Sequence, residues 1–492
     1  NAKTGKTNVI KNMLTLLSDE KVYVFDNKSH ALAAYQSKEN VVYAGDKSAV
    51  AASLNQIKEE VFARKEEYEE ALNTELKIIG KKEDSNYISI NYFRDSVLEE
   101  LKTITEVPAS TIETGGLKIY TTLDATAQKS LEDSVYSYIN DDTKIETAAI
   151  MMDPNTGEVL ALIGGNNYSK SQFNRATKAK RQVGSTMKPL LYYSALESGF
   201  TSSSSFTSEK TTFTFSGGKS YSPKNYNDRY AEGPLSMEAA IAYSDNIYAV
   251  KTHLFLGENN LINTAKRLGI TSNLSEVPSL ALGTSEISLI EMTSAYSCFA
   301  SLGYKTTPHF IKKIEDSKGN ILYENKEEKE LLLNPSLTYI LNEMLTSTYN
   351  KNFINYNYPT LISLLPQITH KYAIKSGTTD TDLLIMGYNK NVVLGVWNGY
   401  DNNTKIDSSE YSHHKNIWID TMESYFKQKE ASWYEIPNNV VGVLTEPITG
   451  ALATDETQNK EMFFYLKGTE PSAESNYKDL EAVFQEENNS NT

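Results

Sequence analysis

Cysteine is almost missing from this sequence: Cys298 is the only one among 492 residues. A disulfide within the chain is therefore excluded, and so is a zinc site built on paired cysteines. Histidine is scarce too, with six residues scattered along the chain and no His-Glu-x-x-His spacing. His413 and His414 are adjacent and point apart in a helix or a strand, so they read as surface residues rather than a metal pair. No Gly-x-Ser-x-Gly elbow occurs, and Gly5-Lys6-Thr7 lacks the upstream glycine of a phosphate loop. No apolar run reaches about 18 residues, the length that spans a bilayer as a helix, and no secretory signal pattern is visible. Basic residues are outnumbered, 48 Lys and Arg against 63 Asp and Glu, giving a net charge of -15. Nucleic acid is not an expected partner, because phosphate binding needs a Lys/Arg-rich face.

What is present describes a globular chain longer than one ordinary domain, with 39% hydrophobic residues and ample room for a core. Residues 1–56 read as a partial or appended segment, with a short amphipathic run at 9–17 and mixed apolar and polar stretches around Val22-Tyr23-Val24-Phe25. Residues 57–115 read as an interdomain linker region, entered by a charge-rich helix at 56–72 and carrying a second amphipathic helix at 92–104. The largest unit spans 116–430. It opens on an alternating strand at 117–123, and Asp124 is placed to cap a helix bearing Ala127, Leu131, Val135 and Tyr138. Two hairpins are expected inside it, one turning through Asp153-Pro154-Asn155-Thr156-Gly157 and one through Asn389-Lys390-Asn391. Residues 431–472 suggest a small C-terminal β module, and 473–492 an acidic mobile tail. Cys298 falls in a helix-like apolar run and reads as a small core residue. A chain opening on Asn1 rather than Met is compatible with an anchor removed by truncation or processing.

The stretch Gly184-Ser185-Thr186-Met187-Lys188-Pro189 sets a hydroxyl and an amine three residues apart where an apolar helical pattern begins: Met187, Leu190, Leu191, Ala195, Leu196. In a first turn, unpaired backbone N–H groups and the positive end of the helix dipole favour negative charge on an oxygen. Residues three apart are neighbours, so Lys188 projects on the same side as Ser185. Pro189 disfavours the α conformation at Lys188, which predicts a 3₁₀-like or kinked first turn. Ser-x-x-Lys alone carries little, since Ser18, Ser216, Ser412, Ser424 and Ser475 also have a lysine three positions on. Order and context discriminate. Only Ser185 opens a strongly apolar helix, and it is followed by Ser244-Asp245-Asn246 between two helix-like runs and by Lys375-Ser376-Gly377-Thr378-Thr379 at the end of a short apolar strand. This trio is the one found in penicillin-binding proteins and class A β-lactamases.

The flanking residues narrow the resemblance. Phe173-Asn174-Arg175-Ala176-Thr177, Lys180-Arg181-Gln182-Val183-Gly184-Ser185, Ser279-Leu280-Ala281-Leu282-Gly283 and Gly395-Val396-Trp397 through Asp401 resemble class A penicillin-binding proteins, over roughly residues 60 to 470. The resemblance implies an α/β, penicillin-binding protein/β-lactamase-like transpeptidase domain, an antiparallel sheet packed with helices, and points to a Gram-positive origin. It also implies the transpeptidase half of a bifunctional cell-wall synthase. Ser185 would be the nucleophile, Lys188 its base, Ser244 a proton relay, Asn246 an orienting amide and Lys375 the cation for a terminal carboxylate. Ser376, Gly377, Thr378 and Thr379 would line the substrate. Partners implied are peptidoglycan stem peptides ending in D-Ala-D-Ala, β-lactams and cell-division or elongation proteins, at the extracytoplasmic face of a membrane reached through an N-terminal anchor. No cofactor and no metal are expected. Ser376 stands where the family more often has Thr, and no acidic glycosyltransferase motif is found, so chain polymerisation is not expected from these residues. A D,D-carboxypeptidase or β-lactamase-type serine hydrolase, or a non-catalytic penicillin-binding sensor, remains an alternative.

Overall fold

The computed structural model describes residues 22–25, 41–44, single positions between 52 and 62, 90–107, 112, 116–139, 143–326, 328–472 and 480–490. The chain divides into two compact units, 1–85 and 86–492. In the first, the stretch around Val22 is a strand, Val22–Phe25, paired in parallel with Val41–Ala44. The run expected at 9–17 and most of that at 56–72 lie outside the described residues.

The second unit is built on a five-stranded antiparallel sheet of β1 (Glu146–Met152), β2 (Val159–Ile163), β3 (Ala373–Thr378), β4 (Asp382–Tyr388) and β5 (Val393–Gly399), in the order β3-β4-β5-β1-β2. These strands read as continuous apolar runs because helices cover both faces. Relevant helices are α1 (Ile90–Leu101), α2 (Ala125–Tyr138), α3 (Lys188–Glu197), α4 (Met237–Tyr243), α5 (Asn246–Leu256), α6 (Leu289–Ala300), α7 (Pro335–Met344), α8 (His413–Phe426) and α9 (Glu481–Ser490). On one face Leu131 of α2 and Trp418 of α8 pack with Ile374, Ile385 and Val396. On the other, Leu190 of α3 and Met292 of α6 pack with Met386 and Trp397. Both expected hairpins are present, as β1–β2 and β4–β5. Asp124 caps α2 by accepting from the N–H groups of Thr126 and Ala127. Cys298 is fully buried, and burial pushes its thiol up to about 12.

Four readings change. The apolar strand does not end at Lys375: β3 runs on through Thr378, because the sheet continues where the apolar pattern stops. α1, expected in a linker, belongs to this unit and buries Tyr92, Phe93, Val97 and Leu101. His414 is not a surface residue. One position of helix turns a side chain by about 100°, which leaves His413 beside Glu410 and puts His414 fully inside. The acidic end, expected to be mobile, contains α9, docked by Phe484 against Phe206 and Phe213 and by Glu481 against the buried Lys251 at 2.8 Å. Leu480 N–H also donates to the Ser205 carbonyl, 3.0 Å. The strands of the C-terminal module, Val440–Thr445 and Glu461–Leu466, pair antiparallel as the pattern suggests. Among the described residues, no helix is long and apolar enough to cross a membrane.

Candidate active site

Ser185 lies half-buried in a 3₁₀ turn, Gly184–Met187, that leads directly into α3. The tightened turn expected ahead of Pro189 is present, but Lys188 itself does not leave the α region. Lys188 adopts ordinary right-handed helical angles, φ -59° and ψ -38°, and the proline sits in the first helical turn, where a missing N–H leaves no bond unmade. Thr186 Oγ1 donates to the Val183 carbonyl at 2.6 Å, and the buried Tyr296 hydroxyl donates to the Thr186 carbonyl at 2.7 Å. The nucleophile turn is thus held from both sides.

Glycines let this turn touch its surroundings backbone to backbone. Gly184, at φ +55°, receives a hydrogen bond's worth of contact from the Leu282–Gly283 turn by donating to the Gly283 carbonyl at 3.1 Å, and a Cβ on Gly283 would collide with the Gly184 backbone. A Cβ on Gly377 would lie 2.5 Å from the Val183 carbonyl oxygen. β3 and the Ser185 turn therefore meet with no side chain between them.

β3 is the edge strand, and its open edge faces the turn. Thr348 Oγ1 donates to the Ile374 carbonyl at 3.1 Å from outside the sheet. In an antiparallel strand both polar groups of alternate residues point the same way, so Ser376 and Thr378 also present N–H and C=O to that edge. The pleat puts Lys375 and Gly377 on one face and the Ser376 and Thr378 side chains on the other. Lys375 Nζ donates to the Ser376 carbonyl at 2.7 Å. Thr379 closes the β3–β4 turn, its hydroxyl accepting from Asp382 N–H at 2.9 Å.

Lys188 is wholly buried, and its ammonium donates to the Ser244 carbonyl at 2.7 Å and to Asn246 Oδ1 at 2.7 Å, with longer contacts to Ser244 Oγ at 3.3 Å and the Asp245 carbonyl at 3.2 Å. Among the described residues, no hydrogen bond joins Lys188 to Ser185. Ser244 takes the left-handed conformation, φ 56° and ψ 46°, that ends α4, and Asp245 caps α5 by accepting from Tyr248 N–H. A left-handed residue other than glycine costs about 1–2 kcal/mol, and here it turns both the carbonyl and the hydroxyl of Ser244 onto the lysine.

No carboxylate among the described residues lies within ion-pair distance of Lys188, Lys375 or Lys415. Burial pushes Lys188 down to about 7, against an opposing pull from the Asp245 charge. Burial, then the charges of Lys188 and Lys415, hold Lys375 well below the usual lysine range. Lys415, bonded to the Thr360 carbonyl at 3.2 Å, is itself lowered by burial. The arrangement gives an amine that releases its proton near neutral pH and, beside it, a second buried lysine without an anion of its own.

Of the residues picked from sequence, Lys188, Ser244 and Asn246 are in direct contact, and Ser185 and the Lys375–Thr379 segment are brought together through backbone. Others were not singled out for the site. Asn225 bonds to Asp245 and to the Asn246 N–H, from a Ser/Thr/Tyr-rich stretch with no period to mark it. Arg175 is buried in a two-pronged pair with Asp401 (2.7 Å to Oδ1), and Arg181 stacks on Trp397 at 4.9 Å and faces Asp382. These clamps tie the segment before Ser185 to the β4–β5 end of the sheet.

A family model, the penicillin-binding protein transpeptidase domain, matches residues 147–407. Penicillin-binding protein 2D of Bacillus subtilis is 42% identical over 383 residues, 77% of this chain and 55% of that protein. Penicillin-binding protein 1A of Aquifex aeolicus is 36% identical over 336 residues, 66% of this chain and 44% of that protein. The chain spans about half the length of these relatives. The Bacillus relative is consistent with the Gram-positive expectation. Among solved structures, penicillin-binding protein 1A from Haemophilus influenzae superposes with a TM-score of 0.69 at 21% identity, covering 86% of this chain and 82% of that one. PonA1 from Mycobacterium tuberculosis in complex with penicillin V gives 0.59 at 22% identity, over 71% and 96%. The mixed α/β architecture expected from the motifs is the one present.

Proposed function

Since the chain belongs to the penicillin-binding protein transpeptidase family, we propose that it is a serine D,D-transpeptidase that cross-links peptidoglycan stem peptides through an acyl-enzyme on Ser185. The observation that carries this reading is the buried Lys188, without a carboxylate partner and lowered to about 7, directly after the Ser185 turn.

A neutral Lys188 amine has two protons, and the two 2.7 Å contacts to the Ser244 carbonyl and Asn246 Oδ1 engage both. Its lone pair is then left for the Ser185 hydroxyl proton. Ser185 Oγ attacks the carbonyl between the two terminal D-alanines as that proton passes to Lys188 Nζ. Backbone N–H groups of Ser185 and Thr378 hold the tetrahedral oxyanion, each worth about 3 kcal/mol of barrier. The C–N bond then breaks. The proton travels from Lys188 through Ser244 Oγ to the leaving amine, and D-alanine departs with it. An amine of a second stem peptide attacks the ester, gives its proton back through the same groups and restores Ser185. Lys375 holds the donor's carboxylate, with Ser376, Thr378 and Thr379 alongside and Gly377 admitting the donor backbone to the open edge. β-Lactams acylate the same serine. We place this chemistry at the extracytoplasmic face, where peptidoglycan is assembled.

Intact-mass measurement after incubation with a β-lactam tests the assignment. The parent should gain one adduct and Ser185→Ala none; an adduct on both, or on neither, would sink it. Released D-alanine rising when an acceptor amine is supplied separates a transferase from a hydrolase.

A further inference from the structure

Behind the Ser244–Asn246 loop lies a polar cluster for which the reaction above has no use. Asn225 is 8% exposed, and its amide has one possible orientation because its backbone and carboxylate partners each bond in one sense only, with Ser208 Oγ adding a longer contact to Nδ2 at 3.3 Å. Oδ1 accepts from the N–H groups of Asn246 at 2.7 Å and Ile247 at 3.4 Å, while Nδ2 donates to Asp245 Oδ2 at 2.6 Å and to the Arg229 carbonyl at 3.1 Å. The preceding residue acts on the other end of Asn246: the Lys224 carbonyl accepts from Asn246 Nδ2 at 2.7 Å. That bond fixes the Asn246 amide with its oxygen toward Lys188. Turned over, the amide would point its own N–H groups at the amine and lose both contacts.

The loop that carries these groups is left-handed at Asn227 (φ 56°) and Asp228 (φ 51°), residues with no glycine's freedom. Such conformations persist where surrounding bonds over-determine them, and here the Asn225 carbonyl accepts from Asp228 N–H at 3.1 Å while its amide holds the Arg229 carbonyl just beyond. Asp245 Oδ2 is held by Asn225 and also by Ser208 Oγ at 2.5 Å, so the loop end is fixed from two elements.

We propose that Asn225 is a positioning residue for acylation: it presents Asn246 Oδ1 to Lys188 and thereby aims the amine's free lone pair at Ser185. This rests on the acyl-enzyme reading. Asn225 touches no reacting atom; it acts through Asn246.

The test is the second-order rate of acylation by a fluorescent penicillin, from about pH 5 to about pH 8, alongside thermal melting. The variants are Asn225→Ala and the isosteric Asn225→Asp. The ionisable groups facing the cluster are Asp245, Lys188 and the hydroxyls of Tyr192, Tyr230, Tyr248 and Tyr356, all four raised by burial first and by Asp245 as well. The tyrosine hydroxyls stay protonated across that range, and the introduced carboxyl is the titrating group that the parent lacks. Asn225→Ala should acylate about 100-fold more slowly than the parent at every pH. Asn225→Asp should be equally slow near pH 8, where two carboxylates repel, and its rate relative to the parent should climb as pH falls. A protonated carboxyl there donates to Asp245 as the amide does, and the neighbouring carboxylate raises its pKa. Variants that acylate within about twofold of the parent, or a relative rate for Asn225→Asp that is flat with pH and follows melting temperature alone, would overturn the proposal. Absence of labelling in the parent would overturn the acyl-enzyme reading itself, a different result from normal parental labelling with unimpaired variants.

Discussion

Lys188 and Lys251 are both buried lysines, yet their surroundings differ in kind. Lys251 meets the Glu481 carboxylate at 2.8 Å and the Thr207 carbonyl at 2.9 Å, and Arg175 likewise has Asp401 and Glu146. Among the described residues, Lys188 meets only neutral oxygens, and Lys375 only a carbonyl. A buried charge with a counter-ion is satisfied within the fold. One without it either loses its proton or waits for an anion from outside, and the two lysines of the site divide these roles.

The sharpest way to break that contrast is Lys188→Met. Acylation should fall about a thousandfold with the fold retained. In the parent, the rate should rise with pH through a midpoint of about 7, because the protonated ammonium has no lone pair to accept the Ser185 proton. A variant that kept the parent's pH profile would show that Lys188 is not the base. Next in size is Lys375→Met. The parent should prefer a free penicillin carboxylate over its methyl ester by about tenfold to a hundredfold, the worth of a charged hydrogen bond, and the variant should show no preference. Equal discrimination in both proteins would place the carboxylate elsewhere. Smallest, and opposite in character, is Glu481→Gln. Lys251 then keeps its burial and loses its anion, and with Glu481 partly exposed the cost should be about 2 kcal/mol, seen as a melting point lower by a few degrees. Acylation by the folded fraction should stay within about twofold of the parent. Lost acylation at unchanged melting temperature would erase the distinction between the two lysines.

How much of this was legible follows from what each residue does. Ser185, Lys188 and the Ser244–Asn246 loop stood out because catalysis needs several residue types in one order along the chain. β1, β2, β4 and β5 stood out because burial writes itself as apolar runs. Of β3 only the start stood out, since its site-facing positions are Lys375 and Gly377, residues that break an apolar pattern while the strand runs on. Asn225 works through bonds to residues about 20 positions away, and no local period records that. His414 depends on which side of α8 is covered, and α9 on one aromatic, Phe484, and one carboxylate, Glu481, that an acidic run does not set apart.

The docking of α9 also has a consequence for the order of folding. The Lys251–Glu481 pair joins residues 230 positions apart, and the Glu481 carboxylate also receives the Thr207 N–H across 274. A chain synthesised from its N-terminus therefore carries Lys251 through 230 further positions before the partner exists. Contacts of such separation form late. The strand Ser205–Ser208, whose last residue holds Asp245, is left with one edge and an aromatic face open until residues 480–484 arrive. Support for the loop that holds Asp245 therefore waits on residues 480–484, and a nascent chain is complete in its motifs well before it is complete in that support.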